Sequence, residues 1–228
     1  MHDTDDLADI PLTPELFDHF LVKGWFRMVN RMFTTDMIFH DKDVHEVIWA
    51  RINLQKFEWT KSHQKLLKPL SQFKLKYHNR CYLTQECERV YELYKSSVSF
   101  EAPKSIEDFL FGQVTYHMYF NTHTFSLYDQ DLLIGRGYFD LGKEAAAGIM
   151  NFYHPNYKKY SLGRALFLLK IKHCLDLGMR YFYPGYVSPT LPHFDYKTSI
   201  HPPSTELYDF EADEWIPLLD RPGYKKDR

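Results

Sequence analysis

The chain has 228 residues, 44% of them apolar, with a formal net charge of −2 from 28 Lys and Arg against 30 Asp and Glu. That length and apolar share suit one compact unit or two small ones with a real core. No run is long and apolar enough for a membrane span, the acidic start is the opposite of a signal peptide, and Cys81, Cys87 and Cys174 are too few and too irregular for a disulfide frame or a thiolate metal site. A soluble chain in a reducing cytoplasm, with no membrane partner, is the expectation.

Residues 1–20 hold Asp3, Asp5, Asp6, Asp9, Glu15 and Asp18 and no Lys or Arg. Their start reads as an acidic, solubilising leader. Thr13 and Pro14 open a first helix that Gly24 closes, with Leu16, Phe20 and Leu21 on one face. From Trp25 to about Leu54 the chain alternates in strand fashion around a turn near residues 41–43. Residues 51–80 then carry eight Lys and Arg against Glu58 alone. On a helix, Lys61, Lys65 and Lys68 fall at i, i+4 and i+7, which puts three ammonium groups on one face while Leu66, Leu67 and Leu70 serve the core. Such a face suits a phosphate backbone, because each neutralised phosphate releases counterions. It also suits plain solvation.

Thr84 caps a helix to about Ser96, and Ser105 with Asp108 opens a short one ending near Gly112. The period then changes. Phe120–Tyr128, Leu132–Asp140 and Ala145–Phe152 read as an antiparallel meander, and it delivers the chain to a loop with Lys158 and Lys159. A helix follows from Ser161 to a stop at Gly178, apolar on nearly every side, with Arg164, Lys170, Lys172, His173 and Asp176 as polar relief. Ser161 is the expected N-cap, and the first-turn N–H groups offer an anion site. A strand from Met179 to about Tyr186 and a hairpin of Glu206–Phe210 with Glu214–Leu218 complete the chain.

The helix start has Gly163 and Ala165 where acyl-CoA N-acyltransferases have Gly and then Gly or Ala, but Tyr160 where they have Gln or Arg. A closer set is Tyr153, His154, Pro155, Ser161, Leu162 and Gly163 before the helix, then Tyr181, Phe182, Tyr183, Gly185, Tyr186, Pro192, Tyr196 and Lys197 after it. With Ser62, Gln64 and Lys65 upstream, the chain resembles the aminoacyl-tRNA-protein transferases, the arginyl- and leucyl-transferases of protein N-termini. Two departures stand out: Asp195 and His193 occupy positions usually basic, and no cysteine lies between Met28 and Asn53, where the family usually carries a cluster. No bound metal or other cofactor is therefore expected, and the scattered histidines, His40, His45, His117 and His123 among them, show no metal-ligand spacing.

The resemblance implies an α+β fold of the N-acyltransferase (GNAT-like) type: residues 1–70 form an N-terminal α+β portion, and residues 71–228 form a mixed sheet around a central helix, its flanking strands splayed into a cleft. It also implies a reaction in which the α-amino group of a protein or peptide with an acidic N-terminal residue attacks the ester of an aminoacyl-tRNA. Tyr153, His154 and Tyr186 are the candidates for the reacting centre. Ser161, Gly163, Arg164, Tyr183, Tyr196 and Lys197 are the candidates for binding substrate, with Lys61, Lys65, Lys68, Lys158 and Lys159 on tRNA phosphates. Arg136, Arg164 and Arg180 are possible cations for an acidic acceptor. An acyl-CoA-dependent N-acyltransferase and a non-catalytic binder of tRNA or peptides remain alternatives.

Overall fold

The computed structural model describes residues 12–40, 42–100, 102–112 and 120–221; the acidic leader, Asp41 and His117 lie outside them. Helix α1 (Pro14–Val22) has Pro14 in its first turn and Thr13 as cap, whose hydroxyl accepts the Leu16 N–H at 3.2 Å. Two small hairpins follow, β1 (Phe26–Met28) with β2 (Arg31–Phe33) and β3 (Met37–His40) with β4 (Asp43–Glu46). The main sheet takes β5 (Ile48–Asn53), β6 (Lys74–His78), β7 (Thr122–Asp129), β8 (Leu132–Leu141), β9 (Ala145–Tyr153), β10 (Tyr181–Val187), β11 (Thr205–Asp209) and β12 (Glu214–Pro217). Helices α2 (Lys61–Leu67), α3 (Gln85–Lys95), α4 (Ile106–Phe111), α5 (Leu162–Asp176) and α6 (Tyr196–Ser199) complete the elements. The class is mixed α+β.

The eight strands run in the order β12-β11-β5-β10-β9-β8-β7-β6. The meander and the last hairpin form within a residue or two of where alternation placed them. Strand β5 is the departure from chain order: residues assigned to an N-terminal portion lie inside the sheet, antiparallel to both β10 and β11. Among the described strands β9 and β10 form the parallel pair, joined through α5. They pair over only three positions, Tyr181 with Ala145, Phe182 with Ala146 and Tyr183 with Ala147. Beyond Tyr183 their pairing ends, and β9 is further bent by a bulge where Gly148 and Met150 face consecutive residues of β8.

Alternation along the strands sends side chains to two covered faces. On one, Phe125, Ile134, Phe139, Ala146 and Phe182 pack on Leu162, Leu166, Phe167 and Ile171 of α5, with Leu66, Leu67 and Leu70 against the same cluster. On the other, Phe17 and Leu21 of α1 meet Trp49, Ala145, Ala147 and Tyr183, while Cys87, Val90 and Tyr91 of α3 and Leu110 of α4 meet Tyr138 and Phe152. Helix α5 is thus wedged into the core, which is why its sequence shows no clear apolar face. Lys170, expected as solvent relief, is instead 1% exposed: its ammonium donates to the carbonyls of Tyr138 at 2.7 Å and Met150 at 3.0 Å. The β9 bulge leaves a polar seat under the sheet, and Lys170 fills it.

A buried ion pair ties the N-terminal hairpin to this sheet. The Arg27 guanidinium donates to Asp140 at 3.0 and 3.1 Å, to Thr122 at 2.8 Å and to the Leu110 carbonyl at 2.5 Å. No described helix is long and apolar enough to cross a membrane.

Candidate active site

Where β9 and β10 part, a cavity of about 980 Å³ opens over the start of α5. The sheet supplies Ile149, Asn151, Tyr153 and Tyr186; the helix start supplies Ser161, Gly163 and Arg164. Tyr196 and Lys197 of α6 close one side and Lys158 the rim. The helix start lies against the sheet at Gly163, where an added Cβ would stand in ordinary contact, 3.4 Å from the Tyr153 ring. A smaller pocket of about 80 Å³ adjoins it between the parted strands, lined by Gly148, Asn151, Lys170 and Lys197.

Eight of the residues proposed from sequence for the reacting centre, substrate or tRNA line the large cavity: Tyr153, Lys158, Ser161, Gly163, Arg164, Tyr186, Tyr196 and Lys197. The others lie elsewhere. The His154 ring accepts the Asn156 N–H at 3.3 Å and caps the following turn. Tyr183 is 2% exposed on the α1 face against Trp215, because alternation turns it away from its neighbour Phe182. Lys159 is exposed beside the Tyr160 ring. Lys61, Lys65 and Lys68 lie exposed on and after α2 and outside the cavity wall, with the α2 leucines turned to the core. Of the three arginines considered for an acidic acceptor, Arg164 lines the cavity. Arg136 is fully buried, donating to Ser126 at 3.1 Å and the Tyr82 carbonyl at 2.9 Å, while Arg180 pairs with Glu144 at 3.2 Å on the surface.

Ser161 corrects the expected cap. Its backbone is left-handed (φ 51°, ψ 43°) and its hydroxyl makes no capping bond, because a 3-10 turn from Pro155 to Tyr160 feeds the helix directly. The first-turn N–H groups of α5 are therefore left without that partner at the cavity floor. Helix N–H groups and the axial dipole favour an anion there. Arg164 and Lys158 add cationic charge of the same sense, and no carboxylate stands among the described lining residues.

Lys197 is the most unusual group in the wall. It is 9% exposed, and its ammonium donates to the Tyr186 carbonyl at 2.7 Å while lying 4.7 Å from the Phe194 ring centre and 5.3 Å from that of Tyr186. Burial pushes it down to about 7. Lys170 is likewise lowered to about 7 by burial, against which Asp140 and Cys174 act. Burial also raises the Tyr186 phenol.

Sequence reasoning missed the wall contributed by α3 and β3. Tyr91 and Tyr94 of α3, Phe100 beyond it and Ile38 and Phe39 of β3 line the cavity. Tyr94 packs edge-on against Tyr153 at 5.3 Å. The signal was the Tyr91 and Tyr94 pair at i, i+3, which places both rings on one side of α3. Among the described residues no group of three His, Cys, Asp or Glu is placed to hold a metal ion, and Cys81, Cys87 and Cys174 are free thiols.

Residues 86–206, just over half of the chain and spanning every element of the cavity except β3, match the family model described as "Arginine-tRNA-protein transferase, C terminus". The chain belongs to this family of aminoacyl-tRNA-protein transferases. An aspartate/glutamate leucyltransferase of Leptospira interrogans is 25% identical over 92% of this chain and 81% of its own length. Another, of Helicobacter hepaticus, is 25% identical over 77% of this chain and 72% of its own. Among solved structures, that of L-PGS from Bacillus licheniformis aligns over 60% of this chain and 46% of its own at 12% identity and a TM-score of 0.46. Membership in the transferase family indicates aminoacyl-tRNA as the substrate and proteins as acceptors.

Proposed function

We propose that this transferase moves leucine or arginine from its tRNA to the α-amino group of a protein whose first residue is Asp or Glu. The observation that carries the reading is the cavity over the α5 N-terminus, with cations and without a carboxylate among its described lining residues. The acceptor nitrogen attacks the ester carbonyl carbon of the aminoacyl-tRNA, a peptide bond forms and the tRNA 3′-terminal oxygen leaves. The ester is already activated, so much of the acceleration comes from holding amine and carbonyl together. In this reading Ser161, Gly163 and Arg164 receive the phosphate near the tRNA 3′ end, and Lys158 and Lys159 the next phosphates. Lys61, Lys65 and Lys68 receive the acceptor stem. Tyr153 and Tyr186 flank the reacting centre, and Tyr196 closes over it. His154 and Tyr183 have supporting parts, His154 by shaping the turn that carries the lysines and Tyr183 by fixing β10.

An N-acyltransferase-like assignment of the fold is part of the same proposal, supported by the strand-helix-strand unit whose strands separate at the helix start. So is a cytoplasmic location, where charged tRNA is found. The test is transfer of radiolabelled leucine and arginine from charged tRNA to peptides beginning with Asp, Glu or Ala, with acetyl-CoA as a parallel donor. Transfer to the Asp and Glu peptides alone is expected. Acetylation from acetyl-CoA without transfer from tRNA would replace this reading with an acyl-CoA-dependent one.

A further inference from the structure

We infer that Lys197 is the proton carrier of the transfer reaction, taking the proton from the attacking amine and handing it to the departing tRNA oxygen. This rests on the transferase reading and adds to it a named catalytic group.

The first support is position. Lys197 lines both the large cavity and the small pocket between the parted strands, so the residue stands where space open to a ligand meets the gap in the sheet. Its bond to the Tyr186 carbonyl uses one hydrogen and anchors the nitrogen. A neutral amine held this way keeps its lone pair free to accept a proton.

The second support is charge. Around Lys197 stand Tyr186 of β10, Tyr196 of its own helix and His193 just before it, with Tyr94 of α3 and Tyr153 of β9 across the cavity. Lys158 and Arg164 of the turn and α5 and His40 of β3 line the large cavity with it, and Lys170 of α5 lines the small pocket. The charged side chains in this set are cationic or neutral, and no described Asp or Glu lines either space; Asp195, two residues before Lys197 at the start of α6, lies outside both linings. Burial disfavours the ammonium and holds Lys197 near neutrality, its value lowered to about 7. In the same cavity, with no carboxylate among its described lining residues, the acceptor's α-ammonium is disfavoured too. A base poised near the working pH is the most effective one.

The step balances. The nitrogen–carbon bond forms as the carbonyl π pair moves onto oxygen, and Lys197 accepts the amine proton. The tetrahedral adduct then collapses, the bond from carbon to the tRNA 3′ oxygen breaks, and that oxygen takes the proton back from the Lys197 ammonium. Lys197 ends as it began.

The test compares wild type with Lys197→Arg, which keeps the donor to Tyr186 but stays protonated, and with Lys197→Met. Each is checked for tRNA binding and thermal unfolding, and kcat/KM for an Asp-initiated peptide is followed with pH. Wild type is expected to show two ionisations, one from the acceptor amine and one near pH 7 that Lys197→Arg abolishes, with a loss of about 100-fold or more, the usual scale for a general base. Should both variants bind tRNA yet keep the ionisation near pH 7, or should Lys197→Arg keep the wild-type rate, the assignment of Lys197 is wrong although the transferase reading stands. Absence of transfer by wild type with any charged tRNA would defeat the transferase reading, and the Lys197 assignment with it.

Discussion

Lys170 and Lys197 are two lysines that the fold buries on backbone carbonyls, with no carboxylate among the described residues bonded to either, and this makes stability itself depend on pH. Both are lowered to about 7 in the folded chain, whereas an unfolded lysine titrates near 10.4. Between those values the unfolded chain holds protons that the folded chain has released. Stability therefore rises as pH climbs from about 7 to about 10 and is lost as pH falls back through about 7. Lys170→Met is expected to remove about half of that rise, read as the difference between urea midpoints at the two ends of the window; an unchanged difference would show Lys170 charged in the fold. At this scale the sequence was legible where spacing in a motif marked a residue that lines the cavity, as for Tyr153, Gly163 and Lys197. It failed for Lys170, because a helix buried on two sides has no polar stripe to mark which lysine faces inward. It also placed His154 and Tyr183 with the site. A turn and a strand alternation, each a matter of one residue, turned them elsewhere.

Among the elements, α2 and α5 divide the proposed work. Helix α2 and the turn after it expose Lys61, Lys65 and Lys68 while Leu66, Leu67 and Leu70 pack on the α5 cluster, so the basic face is held against the helix that floors the cavity. Replacing Lys65 and Lys68 together by Ala is expected to flatten the dependence of tRNA binding on log salt by about 0.7 to 0.9 for each phosphate no longer neutralised, with little change in unfolding temperature. An unaltered slope would remove α2 from the tRNA path. The elements themselves were read well from sequence, since their caps are local: Thr13, Thr84 and Ser105 each accept a backbone N–H three residues on. Ser161 has the same residue type without the cap, because the preceding 3-10 turn sets its backbone first.

For the molecule as a whole, the strand order decides what the chain can tolerate. Asp140 of β8 and Arg27 of the first hairpin are 1% and 4% exposed at their side chains and share Thr122. Asp140→Ala leaves the guanidinium buried without its counter-charge and is expected to cost about 3–5 kcal/mol of unfolding free energy, as breaking a buried pair usually does; a chemical denaturation curve within about 1 kcal/mol of wild type would show that water reaches Arg27. No motif or spacing foretold this pair, whose members lie far apart along the chain. Nor did local patterning reveal that β5 leaves the N-terminal portion to enter the sheet. Alternation marks a strand but not its neighbours.

That placement of β5 has a consequence for how the protein is made. Its partners, β10 and β11, lie more than a hundred residues further along. During synthesis β5 leaves the ribosome with both edges bare, and the meander can zip up long before the sheet can be joined across its middle. The gap that becomes the cavity is thus bounded by the last seam to close, so a chain stalled before residue 181 lacks the β10 wall that Tyr186 contributes. Emergence of β10 and α6 is the event that builds the site.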